Sequence, residues 1–144
     1  MKFFKTYANI NSINEIRGDI MKLQESGENY LEAILVLEKR NGIARSVDVA
    51  NELNFSKPSV SRAVSVLKDA GYVTIGNINQ LLLTEKGREI AEKIFERHCL
   101  IKEFLIAIGV SEETAAEDAC KIEHDLCDET FECIKKHIEK IKNA

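Results

Sequence analysis

Apolar side chains recur every three or four positions in the first half of the chain, which is the spacing of helices that bury one face. The pattern predicts helices over residues 25–39, 46–53 and 57–70. Ser46 and Ser56 are expected to cap the second and third helices, because a serine hydroxyl accepts a hydrogen bond from an amide of the first turn. The apolar positions predicted to face the core are Tyr30, Leu31, Ile34, Leu35 and Leu37 in the first helix, Val47, Ala50 and Leu53 in the second, and Val60, Ala63, Val64 and Leu67 in the third.

The periodicity changes after Gly71, where the third helix is expected to end. Residues 72–75 and 80–83 are rich in strand-forming side chains, and the Gly and Asn of residues 76–79 suit a turn, so a β-hairpin is predicted. Thr84 is expected to cap the helix that follows. Two short helices, a tight turn between them and a hairpin are the order of a winged helix-turn-helix, a fold that binds DNA.

Helical spacing returns in the second half of the chain. The pattern predicts a long helix over residues 84–108 that ends at Gly109. A further helix is expected to be capped by Ser111 and to contain residues 120–124, and a last helix is expected over residues 128–141. The predicted core positions are Ile90, Ile94, Leu100, Ile101, Phe104 and Leu105 in the long helix and Phe131, Ile134, Ile138 and Ile141 in the last.

The predicted fold is therefore mostly α and has three parts. Residues 1–24 are an N-terminal extension that is predicted to be helical, and residues 25–90 form the winged helix-turn-helix DNA-binding domain. Residues 91–144 form a helical domain. The last helix offers an apolar face for packing or dimerisation, made by Phe131, Ile134 and Ile138.

Acidic residues are concentrated at the C-terminal end. The net charge is −4, but residues 91–144 carry 8 basic and 13 acidic side chains, whereas residues 43–90 carry 6 basic and 5 acidic ones. A wholly acidic protein would repel a phosphate backbone, but here the candidate DNA-binding part is slightly basic and the excess acid belongs to another part of the chain. No apolar run approaches about 18 residues, and the N-terminus lacks the apolar core of a signal peptide, so we expect no membrane span and a cytoplasmic protein. The four unevenly spaced cysteines are then expected to be thiols.

The polar face of the predicted third helix carries the candidate DNA contacts. Its side chains are small hydroxyls and cations, with no acid before Asp69. Such a face can enter the major groove, and the helix N-terminus suits phosphate. A solvated surface helix would have a similar face, but the order of helices and hairpin favours DNA. We expect Ser56, Pro58, Ser59 and Arg62 to face bases, Lys57 and Lys68 to face phosphates, and Ser61 to lie on the same face.

The segment of residues 120–124, Cys-Lys-Ile-Glu-His, is a second candidate site. In a helix, Cys120, Glu123 and His124 lie on one face about 5 to 6 Å apart, so a thiol, a carboxylate and an imidazole could meet one cation. A small buried cysteine beside a surface acid and histidine is the more frequent origin of this short pattern. His98 favours a metal, since it offers an imidazole from another helix.

Five short segments together carry a family resemblance. They are residues 24–32 (QESGENYLE), 56–61 (SKPSVS), 83–87 (LTEKG), 96–98 (ERH) and 120–124 (CKIEH). With these motifs the chain resembles the diphtheria-toxin-repressor and manganese-transport-regulator family, whose members are dimeric repressors with Fe2+ or Mn2+ as corepressor. The resemblance implies that residues 91–144 bind metal and dimerise, and that the metal ligands are Asn29, Glu32, His98, Cys120, Glu123 and His124.

Two departures from the family bear on the metal. Asn29 occurs here with Cys120, whereas manganese-type members typically have Asp and Glu at these positions and iron-type members Met and Cys. The Cys120 thiolate favours Fe2+, Co2+ or Zn2+, whereas Glu32 favours an oxygen-rich site. We therefore expect Fe2+ first and Mn2+ next. A second site of the iron type is not expected, because Lys102 and Ala116 stand where it needs an acid and a histidine.

The function that the resemblance implies is repression of metal-homeostasis genes by a homodimer on a palindromic operator, with no small-molecule substrate. Metal would offset the repulsion among the ionised ligands and so fix the spacing of two recognition helices. The alternative is a winged-helix regulator that senses an organic ligand or thiol oxidation through Cys99, Cys120, Cys127 or Cys133. An enzyme is not expected, because no separate general base, nucleophile or glycine-rich phosphate loop accompanies the ligands.

Overall fold

The computed structural model describes residues 25–144, and the helix predicted within residues 1–24 lies outside the described residues. The chain divides into two compact units, one that ends at Glu92 and one that comprises Lys93–Ala144. Within residues 25–144, no helix has the length and apolar character needed to cross a membrane. The predicted fold class is confirmed, since helices predominate and the first unit is a winged helix-turn-helix.

Three helices form most of the first unit: α1 (Glu25–Asn41), α2 (Ser46–Leu53) and α3 (Lys57–Asp69). The middle of α1 is buried on all sides, because α1 packs against α2, against α3 and against the second strand of the hairpin. Gly42, with a φ of 77°, follows the last residue of α1 and ends the helix. The apolar positions predicted for α1 and α3 are all buried.

The start and the buried face of α2 differ from the prediction. Ser46 is the first residue of the helix and not its cap, since the chain enters α2 through Arg45, whose amide donates to the Asp48 carboxylate over 3.0 Å. The prediction that Val47 faces inward is also wrong, because Val47 is 41% exposed and Val49 is buried in its place. α2 packs against both α1 and α3, so its buried face is wide enough to include Val49 beside Ala50.

The predicted hairpin is confirmed, with slightly shorter strands. Strand β1 (Val73–Ile75) pairs antiparallel with β2 (Leu81–Leu83), and a short 3-10 turn over Asn77–Asn79 connects them. The Leu81 amide donates to the Ala44 carbonyl over 2.8 Å, which ties the hairpin to the chain before α2.

Two ion pairs of arginine with glutamate involve the C-terminal end of α1, and the first of them is bidentate. Arg40 donates to both carboxylate oxygens of Glu52 on α2, over 2.9 and 3.1 Å, and this hydrogen bonding raises the pKa of the arginine. Arg88 donates to both carboxylate oxygens of Glu38, over 2.9 and 3.0 Å. The two-nitrogen pair of Arg40 with Glu52 fixes orientation as well as distance between α1 and α2, whereas the Arg88 pair joins α1 to the start of the long helix that follows the hairpin.

Thr84 joins the hairpin to the long helix α4 (Glu85–Ala107). Its hydroxyl accepts from the Gly87 amide over 3.1 Å, which confirms the predicted cap, and donates to the Gly71 carbonyl over 2.7 Å. A Cβ atom placed on Gly87 would lie 2.1 Å from the Tyr72 carbonyl oxygen. The first turn of α4 therefore lies directly on the backbone that leads into β1, and only glycine fits there.

Gly87→Ala is expected to destabilise the protein by about 1 to 3 kcal/mol, because the new methyl overlaps a backbone oxygen that no side-chain movement can clear. The sign of the change in the free energy of unfolding tests the close packing, since in an unobstructed helix the same substitution would stabilise the protein by about 1 kcal/mol. Urea unfolding monitored by circular dichroism measures the difference. Glu89→Ala, at an exposed position one residue after Arg88, is the control and should lie within about 0.5 kcal/mol of the wild type. A Gly87→Ala protein as stable as the wild type would contradict the close packing.

The second unit contains the remainder of α4 together with α5 (Glu112–Ile122) and α6 (Asp128–Lys142). Gly109, with a φ of 106°, ends α4, and Ser111 caps α5 by accepting from the Thr114 amide over 3.4 Å. Both features agree with the sequence pattern. Of the apolar positions predicted to be core in α4, Ile94 and Ile101 are buried, whereas Ile90 of the first unit is partly exposed. Leu100, Phe104 and Leu105 are also partly exposed, because within the second unit the shorter α5 and α6 cover only part of the surface of α4.

Ion pairs show the directions of the three helices in this unit. Lys102 near the end of α4 lies 3.3 Å from Glu112 at the start of α5, so α5 runs back along α4. Lys135 and Lys142 of α6 contact Glu96 and Glu103 of α4, over 2.7 and 2.8 Å, so α6 runs in the same direction as α4. The C-terminal end of α5 and the N-terminal end of α6 therefore both lie at the Lys93 end of the unit.

Residues of the last helix that were predicted for dimerisation have different surroundings. Phe131 and Ile138 are buried within the chain itself, Ile134 is partly exposed, and Ile141 is 53% exposed. The burial of Phe131 and Ile138 requires no partner chain, so these two side chains stabilise the unit directly. Their participation in a dimer stays a prediction.

Candidate metal centre and nucleic-acid interface

Three buried side chains of the second unit bring their donor atoms together. His98 lies in α4, Cys120 in the last turn of α5 and Glu123 at the end of α5. His98 Nδ1 lies 3.0 Å from Glu123 Oε2 and 3.5 Å from Cys120 Sγ, and the three donor atoms are all within 4.8 Å of one another. We call His98, Cys120 and Glu123 the donor cluster.

The way in which α5 ends determines where the side chains of Glu123 and His124 lie relative to Cys120. The helix ends at Ile122, but Glu123 keeps a helical backbone, so the spacing of three residues still places its carboxylate beside the Cys120 thiol. His124 follows the helix, and the prediction that the helix includes residues 123 and 124 is wrong, because a turn over residues 123–125 leads towards α6. The His124 side chain is nevertheless only 3% exposed, with Nε2 3.3 Å from Glu123 Oε1.

The chemistry of the donor cluster fits a divalent transition metal. Metal bonds of about 2.0 to 2.3 Å span at most about 4.6 Å between opposite ligands, which matches the separations here. An imidazole, a thiolate and a carboxylate together suit Fe2+, Co2+ or Zn2+. Glu123 is 0% exposed, and a buried carboxylate is costly unless cations or hydrogen-bond donors compensate its charge. A bound cation would supply that compensation and would be held by all three side chains.

Asn29 and Glu32, the other ligands that the family resemblance implies, lie in α1 of the first unit. Both side chains are buried and, three residues apart, they share one face of the helix. Their spacing agrees with a pair of ligands from one helix. That they bind the same ion as the donor cluster stays a prediction.

Most of the residues predicted to contact DNA are exposed on α3 or at its start. Ser56 caps the helix and accepts from the Ser59 amide over 3.3 Å, and Pro58 occupies the first turn, as the sequence pattern predicted. The prediction that Ser59 faces outward is wrong. Its side chain is 5% exposed and its hydroxyl lies 2.8 Å from that of Ser56, because the cap draws it towards the helix start. The residues exposed on this face are Ser56, Lys57, Pro58, Ser61, Arg62, Ser65 and Lys68.

The four cysteines, all within the described residues, are thiols, but they do not share one environment. Cys99, Cys127 and Cys133 are exposed, whereas Cys120 is buried in the donor cluster. A hydrogen bond with the Thr130 side chain lowers the pKa of Cys127, which lies at the N-terminus of α6. The thiol placed for metal binding is therefore distinct from the thiols that solvent reaches.

The sequence analysis assigned no role to Arg97, which appeared there only as part of the ERH motif of residues 96–98. Arg97 precedes His98 on α4 and is only 5% exposed, and its guanidinium group reaches the chain around Glu123. The signal in the sequence was an arginine beside a candidate ligand in the middle of a helix. Its contacts could not be deduced without the position of the α5 end.

Comparisons with known proteins agree with both units. Residues 22–77 match the family model described as iron dependent repressor, N-terminal DNA binding domain. Residues 84–144 match the model described as iron dependent repressor, metal binding and dimerisation domain. Together the two matches account for most of the chain.

Individual relatives are transcriptional regulators. An uncharacterized HTH-type transcriptional regulator of Methanocaldococcus jannaschii is 39% identical over 123 residues, which are 84% of this chain and 98% of the relative. The HTH-type transcriptional regulator MntR of Geobacillus kaustophilus is 40% identical over 101 residues, 70% of this chain and 72% of the relative. Among solved structures, that of the manganese regulator SloR has a TM-score of 0.70 at 28% identity, and the match covers 78% of this chain but only 53% of SloR.

A winged helix-turn-helix followed by a helical unit with a buried cluster of side chains that could hold a metal ion is typical of metal-responsive transcriptional regulators. The chain belongs to the iron-dependent repressor family, which includes the diphtheria-toxin repressors and the manganese-transport regulators. The resemblance found in the sequence is thereby confirmed, as is the prediction of a regulator and not an enzyme.

Proposed function

We propose that this protein is a metal-dependent transcriptional repressor that binds a palindromic operator as a homodimer and controls genes of metal-ion homeostasis. The observation that carries the proposal is the donor cluster, a buried set of imidazole, thiol and carboxylate in the unit that follows a winged helix-turn-helix along the chain. The family description of residues 84–144 as a metal binding and dimerisation domain supports both the corepressor and the dimer.

The donor set favours Fe2+ as corepressor, with Mn2+ next. Sulfur is a soft ligand, and a site that contains Cys120 binds Fe2+ or Co2+ better than the hard Mn2+ ion. Mn2+ stays second because MntR and the manganese regulator SloR are relatives of this chain. We propose that His124, Asn29 and Glu32 supply further ligands, in line with the family resemblance.

The effect of metal follows from where the donor cluster lies within its unit. His98 belongs to α4, whereas Cys120 and Glu123 belong to the end of α5, so one ion held by all three would join these helices. It would also neutralise ionised donors that otherwise repel one another. A more rigid dimer would hold its two recognition helices at the spacing of the operator, and a coupling of about 1 to 3 kcal/mol is typical of such linkage.

The proposal is tested by selecting duplexes from a random library in the presence of Co2+ and then titrating the selected duplex. Expected results are a palindromic consensus, a stoichiometry of two chains per duplex by sedimentation, and an affinity that rises about 5 to 150-fold with Co2+ or anaerobic Fe2+ and less with Mn2+. An affinity that is the same in the chelator EDTA and in saturating metal would contradict metal dependence. Selection of duplexes without two-fold symmetry would contradict the dimeric operator.

Arg62→Ala is expected to cost about 1 to 3 kcal/mol and to relax specificity at one position of each half-site, because arginine can pair with guanine through two hydrogen bonds. Arg62 is exposed on α3, within the face that would enter the major groove. Lys68→Ala, which removes one cation from the same face, is the control and should weaken all duplexes equally while reducing the salt dependence. Competition titrations with single-base variants of the selected duplex measure both. A uniform loss for Arg62→Ala would instead make Arg62 a phosphate contact.

A further inference from the structure

Arg97 holds the chain on both sides of the connection between α5 and α6. Its Nη1 atom donates to the Glu123 carbonyl over 3.2 Å and to the Leu126 carbonyl over 2.6 Å. Its Nη2 atom donates to the Asp128 carboxylate over 2.5 Å, and the guanidinium carbon lies 5.1 Å from the centre of the Phe131 ring. One buried side chain of α4 therefore contacts the end of α5, the connection and the first turn of α6.

The chemistry of these contacts suits a fixed cation. The last carbonyls of a helix have no partner within the helix and carry partial negative charge, so a guanidinium group at the end of α5 is favourable there. Lys93 and Arg97 lower the pKa of Asp128, with Lys93 the larger influence, so this carboxylate is ionised at neutral pH. Only a planar group with several donors can serve all three acceptors together, which distinguishes arginine from lysine at this position.

Arg97 and His98 are consecutive in α4, and both contact Glu123 at the end of α5. Arg97 binds the Glu123 main chain, whereas His98 lies 3.0 Å from the Glu123 carboxylate. With its carbonyl fixed, Glu123 can move its carboxylate only by side-chain rotation, and that carboxylate is fully buried. The backbone of His124, the next residue, is constrained by the same contact.

We infer that Arg97 is a positioning residue for the metal centre. It binds no metal, but it fixes the Glu123 backbone so that the carboxylate reaches the point where His98 and Cys120 also converge. Groups outside the ligand set that orient ligands commonly change metal affinity by about 10 to 100-fold. The inference rests on the proposed function, because it presupposes that the donor cluster binds metal.

A residue that only stabilises the fold would behave differently. Its loss would lower the unfolding temperature, yet the folded fraction would bind metal with the same ligands in the same geometry. A positioning residue alters the coordination geometry of the folded, saturated protein. The absorption spectrum of bound Co2+ separates the two roles, since its visible bands respond to the number and arrangement of ligands and its near-ultraviolet band reports the bond to sulfur.

The test uses the full chain with Co2+ as the probe and four variants. Arg97→Gln removes the charge and most of the donors, and Arg97→Lys keeps the charge without the planar group. Asp128→Ala removes the exposed ion pair and leaves the two carbonyl contacts. Lys93→Ala is the matched control, because Lys93 contacts the same Asp128 carboxylate oxygen as Arg97, over 3.3 Å.

We expect Arg97→Gln to bind Co2+ about 10 to 100-fold more weakly and to show altered visible bands at saturation. Arg97→Lys should recover part of the affinity, Asp128→Ala should lose only a few-fold, and Lys93→Ala should match the wild type. Wild-type affinity and spectrum in a folded Arg97→Gln protein would overturn the inference while leaving the proposed function intact. If Arg97→Gln does not fold, the same measurements on Arg97→Lys test the inference. A wild-type spectrum and affinity in Arg97→Lys would then overturn it. A wild-type protein that binds no Co2+ would overturn the proposed function and, with it, this inference.

Discussion

Glu123→Gln is expected to remove the metal response while leaving the fold intact. The substitution keeps the volume of the side chain but replaces a fully buried carboxylate by a neutral amide, so the donor cluster loses its negatively charged oxygen ligand. Loss of an orienting group outside the ligand set costs about 10 to 100-fold in metal affinity, and loss of a ligand should cost at least as much. DNA affinity should then be nearly the same with and without metal.

Thermal unfolding provides a second measure of the Glu123→Gln effect. A ligand that binds only the folded state adds about 2.7 kcal/mol of stability at a free concentration 100 times its Kd, so Co2+ should raise the unfolding temperature of the wild type and hardly that of the variant. Without metal the variant should unfold at a temperature close to that of the wild type, since glutamine keeps the volume of the side chain and an oxygen that can accept a hydrogen bond from His98. Glu129→Gln, an equal change of charge at an exposed position of α6, is the control and should keep the full shift. A shift of wild-type size in Glu123→Gln would show that this carboxylate is not a ligand.

Cys120→Glu is expected to move the metal preference towards Mn2+. A hard carboxylate would replace a soft thiolate without changing the charge of the ionised ligand set, so binding of Mn2+ should improve relative to Fe2+ and Co2+. The manganese-type members of the family typically have glutamate at this position, which indicates that the site can be built around the larger side chain. The measurement is the ratio of Co2+ to Mn2+ affinities, obtained by competition.

Cys120→Ser provides the size-matched comparison for Cys120→Glu. Serine replaces sulfur by oxygen but supplies no negative charge at neutral pH, so it should weaken binding of every metal and not favour Mn2+ in particular. An unchanged Co2+ to Mn2+ ratio in Cys120→Glu would show that position 120 does not determine the metal.

The winged helix-turn-helix could be predicted from the sequence because its signals are local. Ser56 as a cap, Gly71 as a helix end and the turn within the hairpin each act on neighbouring residues, and all three appear in the structure. Val47 was wrongly predicted to face the core of α2, because in a helix of 8 residues the contacts with two neighbours decide which face is buried. Periodicity alone cannot supply those contacts.

The candidate metal centre was predictable to a smaller degree. Cys120 and Glu123 lie three residues apart, so their proximity follows from helical geometry. His98 comes from another helix, so the sequence offered it as a further imidazole without showing how close it lies to the other two. His124 lies after the helix end, which the sequence did not mark, and the role of Arg97 depends on the path of the chain between α5 and α6. Each of these features arises from contacts between distant segments, which a local pattern does not contain.

The central claim, that the donor cluster binds the corepressor metal through Cys120, is tested most directly by the absorption spectrum of the Co2+-loaded protein. The wild type should show a near-ultraviolet charge-transfer band from sulfur to Co2+, and Cys120→Ser should lack it. Cys133→Ser, which removes an exposed thiol of α6, should retain the band at full intensity. A Co2+-loaded wild type without the band, or a band that survives in Cys120→Ser, would contradict the claim and remove the basis for preferring Fe2+ over Mn2+.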